Sequence, residues 1–384
     1  MRTRRLLAFA SFALLLGCGG HPGVFDLAPA ARVSLGDAGG AAETDALAAR
    51  FYGETLDPAA MRAELEAALE RHPESATLHE MAAHLAELRA DDRAAWLHWL
   101  SAASDTSTPF TAVYLQRALG RDLTGREERA SIALLREMSA SHPRPAARVD
   151  AARRLIGLLA QHGRLEEAER LGAELGYLRA WRMVGAFDND QGRGFQATEP
   201  PETEALDLDA SFRGLRSDVR WREVTQYDRA GVAQLGAHLS PNRWAVAYLV
   251  THVESPSARE AQLRLTTSSA TKVWVNGRLV VAQDRLANAA TDNFVLPITL
   301  RAGPNRIFVK SAQDGSGAWI FGARLTDREG RALPGLRADA GARAVELEAP
   351  GDDSGNPSPL EEALAAVEPP LRRELLRHHD AVRN

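Results

Sequence analysis

The stretch from Lys272 to Val281, KVWVNGRLVV, constrains the fold of this chain more than any other ten residues. Two runs of β-branched and aromatic residues flank Asn276-Gly277, and both turn residues tolerate φ > 0. The stretch therefore predicts a β-hairpin closed by a two-residue turn. Regular pairing opposes Val275 to Arg278, Trp274 to Leu279, Val273 to Val280 and Lys272 to Val281. One face then carries Val273, Val275, Arg278 and Val280, and the other Lys272, Trp274, Leu279 and Val281. Neither face is polar, so the hairpin belongs inside a β-sandwich with a cover over its outer face as well. Val273, Val275 and Val280 are assigned to the core. Trp274 and Leu279 face outward, beneath a helix of the preceding array, a loop of the same domain, or a ligand. The direct junction at Gly176-Tyr177 favours one of the first two, with Trp274 largely buried.

The first residues carry an address. Arg2, Arg4 and Arg5 precede an apolar run, Leu6 to Leu16, that is too short to span a bilayer. The run ends in Leu15-Leu16-Gly17-Cys18, and Cys18 is the only cysteine among 384 residues. This resembles the bacterial lipobox. The resemblance implies a signal peptide over 1–17, lipidation of Cys18 and a membrane anchor of several acyl chains. Gly rather than Asp at position 19 resembles lipoproteins sent to an outer membrane. With Cys18 consumed, no cysteine remains for a disulfide, a metal site or a nucleophile.

The net charge is -5, and no basic stripe appears, which argues against a nucleic-acid partner. The basic residues are almost all Arg, in keeping with a GC-rich genome; Lys272 and Lys310 are the two lysines. Residues 18–42 read as a Gly/Ala/Pro tether. From 43 to 176 the text is rich in Ala, Leu, Glu and Arg and helical throughout. Pro73, Pro109 and Pro143 punctuate it 36 and 34 residues apart. A helix pair every 34 residues or so is the signature of tetratricopeptide (TPR) repeats, and AARVDAARRLIGLLAQHGRLEEAERLGAELG resembles the motif. Such an array presents a concave surface to protein partners.

At Tyr177 the period changes. Five of the seven tryptophans follow, with strand-like runs at about 219–224, 232–239, 244–253, 261–267, 294–300, 306–311 and 319–326 beside the hairpin. Ser240-Pro241-Asn242, Ala302-Gly303-Pro304-Asn305 and Asp314-Gly315-Ser316-Gly317 supply turns. The expected fold is a TPR-like α-solenoid followed by an antiparallel jelly-roll β-sandwich over 177–345. TKVWVNGRLVV followed by LPITLRAGPNRIFVKSA resembles galactose-binding-like and PA14-type jelly rolls. With WRMVGAFDNDQGRGF and PPE before it, the arrangement is similar to the N-terminal part of large bacterial TPR proteins, some of which continue into a transglutaminase-like region. A linker over 346–358 and a helical pair over 359–384, broken at Pro369-Pro370, complete the chain.

Candidate chemistry is sparse. His79-Glu80-Met81-Ala82-Ala83-His84 places its two histidines five apart, roughly 140° around a helix, so it is not the zinc-protease motif, whose pair shares a face. Trp96, His98 and Trp99 read as helix-packing residues. Asp188, Asn189 and Asp190 open an Asx-rich turn that lacks the residues an EF-hand needs at its fifth and sixth positions. They remain, with Lys272 and Trp274, the candidate ligand-binding residues. PA14-type adhesins hold calcium through an Asp pair before the hairpin, where this chain has Ser268 and Ser269. No catalytic residue, cofactor or metal site is assigned. The expected protein is a non-enzymatic envelope lipoprotein that binds a protein through its repeats and carries a lectin-like sandwich. The alternatives are a carbohydrate-binding module, or an accessory subunit of a separately encoded transglutaminase-like or protease system.

Overall fold

A computed structural model describes residues 41–51, 58–106, 110–120, 125–284, 291–315, 317–341, 345 and 347. The lipobox with Cys18, most of the tether, the linker over 346–358 except position 347, and the pair over 359–384 lie outside them. The chain forms two compact units that divide between Leu155 and Ile156.

The first unit is helical. Its elements are α1 (Ala41–Phe51), α2 (Pro58–Arg71), α3 (Ala76–Leu88), α4 (Asp92–Ser104), α5 (Thr111–Leu119), α6 (Gly125–Ser141) and most of α7 (Pro145–Gln161). Local chemistry sets the starts. The Ser75 hydroxyl accepts from the Leu78 amide at 3.3 Å to cap α3, and the Asp91 carboxylate accepts from the Ala94 amide at 3.0 Å to cap α4. Leu47, Phe51, Met61, Leu65, Leu78, Met81 and Leu85 form one apolar cluster. Ala68, Ala83, Ala86, Ala95, Ala102, Ala103 and Ala118 are all buried, and such small side chains let helix backbones approach closely.

The second unit contains α8 (Leu165–Glu174) and two main antiparallel sheets. The larger orders its strands β4 (Arg222–Glu223), β1 (Arg182–Asp188), β6 (Ala245–Ser255), β11 (Gly303–Gln313), β8 (Ala270–Val275), β9 (Arg278–Gln283). β1 and β13 (Arg337–Asp339) pair with successive parts of β6. The smaller orders β10 (Phe294–Leu300), β7 (Arg259–Thr267), β12 (Ile320–Thr326), β5 (Ala233–Gln234). A short ribbon joins β2 (Ser211–Arg213) to β3 (Asp218–Arg220). Leu249, Val273, Val275, Ile307 and Val309 of the larger sheet share one core with Leu263, Leu265, Leu296, Phe321 and Leu325 of the smaller. Gly172 of α8 lies so near the turn at 229 that a Cβ on it would stand 2.3 Å from the Arg229 carbonyl oxygen.

The hairpin forms where the sequence placed it, with Asn276 at φ 52° and Gly277 at φ 92°. Its register differs from the regular expectation beyond the second pair. Val275 opposes Arg278 and Trp274 opposes Leu279, but Val273 opposes Val281 and Lys272 opposes Ala282. Val280 is the extra residue of a β-bulge. Regular pairing would have turned Val281 outward; the bulge buries Val281 in the core and leaves Val280 partly buried against it. Strand bounds also differ at several places. Only Ala233–Gln234 of the run expected at 232–239 is strand, and a 3-10 turn follows over Leu235–Ala237.

Candidate functional site

Alternation along β6, β11 and β8 sends Val246, Tyr248 and Val250, then Phe308, Lys310 and Ala312, then Ala270, Lys272 and Trp274 to the face of the larger sheet opposite the shared core. The segment after β1 covers part of that face. It runs through a 3-10 turn at Asp190–Phe195 and the single-turn helix α9 (Pro200–Thr203) to β2, and packs Phe195, Leu206, Leu208 and Phe212 against Phe187, Tyr248 and Val250. The cover is thus a segment of the same domain. It leaves Trp274 partly buried, with its ring 5.6 Å from Phe308.

The two lysines of the chain are cross-strand neighbours here. Lys310 is fully buried and donates to the Ala197 carbonyl and, at 2.7 Å, to the Glu202 carboxylate; Tyr248 donates to the same carboxylate at 2.5 Å. Burial pushes the Lys310 ammonium below its ordinary value and Glu202 opposes the shift, while the nearby Lys272 charge adds to it. Burial likewise raises the Glu199 carboxyl and the Tyr248 hydroxyl, the latter with help from Glu202. Lys272 is half-buried, with its ammonium 4.9 Å above the centre of the Phe195 ring. Lys310 therefore pins the covering segment, whereas Lys272 presents a cation beside the half-open indole of Trp274.

The Asx-rich turn adjoins this face. The Asp188 carboxylate accepts from the Asp190 amide at 3.0 Å, and Asp190 pairs with Arg193 at 2.6 Å. The Asn189 side-chain amide donates to the Gln313 carbonyl at 3.0 Å, and its Oδ1 is buried without a hydrogen-bond partner. Gly194 closes against it; a Cβ there would stand 2.0 Å from the Asp188 carbonyl oxygen. These contacts make an Asx turn, and among the described residues no group of three His, Cys, Asp or Glu side chains is arranged to hold a metal. The Asn189 amide also donates to the Trp244 carbonyl at 3.1 Å. Trp244, which the sequence marked only as a strand start, sits at φ 51° with 49% of its surface exposed. That conformation is an outlier for so bulky a residue.

Ser268 and Ser269 are tied into the fold. The Ser268 hydroxyl donates to the Ala318 carbonyl and accepts from the Ile320 amide at 3.0 Å. The buried Ser269 hydroxyl lies 2.6 Å from that of Ser311, which also accepts from the Trp319 indole at 2.8 Å. On the smaller sheet the sequence reading missed a buried ionic triad. Arg264 and Arg324 stand opposite each other on β7 and β12, and Asp292 pairs with both. Arg264 further donates to Thr326 and Gln262, and Arg324 to the Gly330 carbonyl. A lone Asp in a loop and two strand arginines give no sequence signal of their meeting.

No protein-family model matches the chain, and no curated protein matches it. One solved structure, an anti-sigma factor domain-containing protein from Clostridium clariflavum, aligns with 46% of this chain and 49% of its own, at 11% identity and a TM-score of 0.21. The chain thus matches about half the length of that protein, and likeness at this score carries no inference.

Proposed function

We propose that the chain is a non-enzymatic bacterial envelope lipoprotein, anchored through Cys18, that binds a protein partner through TPR-like repeats and carries a lectin-like jelly roll of the galactose-binding-like or PA14 kind. The observation that carries the reading is the spacing of helix starts. α3, α5 and α7 begin at Ala76, Thr111 and Pro145, 35 and 34 residues apart, in step with the proline punctuation. Buried alanines within these helices support the same reading, and α4 leaves Leu97 52% exposed, an apolar contact for a partner. Among the described residues no helix is long and apolar enough to cross a membrane, so in this reading membrane attachment rests on the lipid.

Two experiments test it. Cys18→Ser should abolish partition into the detergent phase; equal fractionation of variant and parent removes the anchor from the proposal. Crosslinking in cell envelopes should give a defined adduct to the parent and lose it in Leu97→Asp, and an adduct indifferent to that change sets the repeat surface aside. The second reading, a carbohydrate-binding module, is favoured by the half-open Trp274 beside Lys272 and by exposed Trp244. A glycan array answered by the parent and silent to Trp274→Ala or Trp244→Ala places that reading first.

A further inference from the structure

His79 and His98, which belong to sequence stretches with no recognisable ligand motif, meet in the helical unit. His79 lies on α3 and His98 on α4, and their Nδ1 atoms stand 3.0 Å apart. The ring centres are 5.3 Å apart with planes inclined by 38°. His79 Nε2 is 2.8 Å from the Pro73 carbonyl oxygen and, having no other role open to it there, donates its proton. In the neutral ring that leaves Nδ1 of His79 as a lone pair aimed at His98. A ring nitrogen held by a backbone carbonyl while the other faces inward is the arrangement that orients metal-bound imidazole.

We propose that His79 and His98 form a two-imidazole site for a borderline divalent cation, with Cu(II) and Ni(II) preferred over Zn(II). Two nitrogens at this separation, each about 2.0–2.1 Å from one ion, subtend about 95°, which suits adjacent positions of a square or octahedral ion. Tetrahedral zinc wants about 109°, and hence nitrogens a few tenths of an ångström farther apart. Both residues are half-buried rather than sealed in the core, and water would complete the coordination of the ion. Binding needs no net loss of a proton. The His98 hydrogen now shared between the Nδ1 atoms moves to His98 Nε2, and both Nδ1 lone pairs turn to the ion. Burial lowers the proton affinity of both rings, with the neighbouring charges of His79 and Arg89 adding to the effect at His98. His84, the other histidine of α3's apparent motif, takes no part: it lies between Glu80 and Glu87.

The test is a titration of the untagged full chain with CuCl2, NiCl2 and ZnCl2, each alone, followed by calorimetry. The tandem His378-His379 is first replaced by Gln so that it contributes nothing. One equivalent of Cu(II) should bind with micromolar affinity, more tightly than Zn(II). His79→Gln and His98→Gln should each weaken Cu(II) at least tenfold, while His162→Gln leaves it unchanged. Binding that survives His98→Gln, or no Cu(II) bound at millimolar concentration, overturns the proposal. Should either variant misfold, pulsed electron paramagnetic resonance on the chain with both helical histidines intact still decides: two coordinated imidazoles support the site, and one or none overturns it.

Discussion

At the scale of the residue, Asn276 does more than close a turn. It holds a positive φ, donates to the Asn305 side chain at 2.9 Å and accepts from the Arg306 amide at 2.9 Å, all while buried. Asn305 in turn holds the loop before β11, accepting from the Arg301 amide and donating to the Gly303 carbonyl. The Asn-Gly and the Leu-x-x-Gly-x-Asn of the sequence are thus two halves of one hydrogen-bonded unit. Asn276→Gly keeps the backbone conformation free of strain but leaves buried partners unmet, so urea denaturation should show a loss of about 1–3 kcal/mol. The triad gives a larger effect. Asp292 has φ 53° and sits fully buried between Arg264 and Arg324. Asp292→Asn tolerates that φ and keeps the shape but strands two guanidinium charges, and should cost about 3–5 kcal/mol by the same measurement. An unchanged midpoint in either variant contradicts the corresponding account.

At the scale of the element, the segment over 189–213 is held to the larger sheet by a charge pair with one fully buried partner, Lys310, as well as by its apolar side chains. Lys310→Met leaves Glu202 with Tyr248 alone, and Glu202→Gln leaves the Lys310 ammonium without its hydrogen-bonded carboxylate, with Glu199 the nearby negative charge that remains. Each should destabilise by roughly 3–5 kcal/mol, whereas Lys310→Met combined with Glu202→Leu should recover much of the loss. Additive losses in the double variant mean that the pair does not couple. The same region shows what the sequence could and could not reveal. The hairpin, its turn, most strands and the change of period at Tyr177 were legible because each follows from residues close in sequence. The bulge at Val280 was not, since both Val280 and Val281 are apolar and local alternation could not say which the core would take. Nor was the covering segment, whose Phe195, Leu206, Leu208 and Phe212 lack any regular period. Lys272, Trp274, Asp188, Asn189 and Asp190 do fall in one region, but Lys310, Glu202 and Tyr248, more than a hundred residues apart at their widest, were joined only by the fold.

At the scale of the whole molecule, the helical unit carries most of the shifted histidines, and they pull stability in opposite directions with pH. Burial works against Glu87, yet hydrogen bonds from His84 and Trp99 and the charge of Arg117 hold its carboxyl down to about 2, from an ordinary 4.5. That lowered value contributes stability above pH 4.5 which is lost as pH falls toward 2. Burial also works against the His84 imidazolium, but Glu80 and Glu87 outweigh it and raise its value above 6.5. Its contribution is complete below pH 6.5 and is lost as pH rises through the folded value. His98 is the reverse case: burial first, then His79 and Arg89, lower it to about 4, and His79 is lowered by burial too. Both rings bind a proton less readily in the folded state than in the unfolded chain, and for His98 stability falls as pH drops from 6.5 through about 4. The helical unit should be most stable near pH 6.5, with a decline on both sides. Urea midpoints followed by helical circular dichroism, in chelator-treated buffer to keep metal out, measure this directly. His98→Gln should flatten the slope between pH 4 and 6.5 and leave the alkaline side unchanged, while His84→Gln should flatten the alkaline side and, by releasing the Glu87 carboxyl, also reduce the loss below pH 4.5. A variant that alters the wrong limb shows that the assignment of these two histidines is reversed.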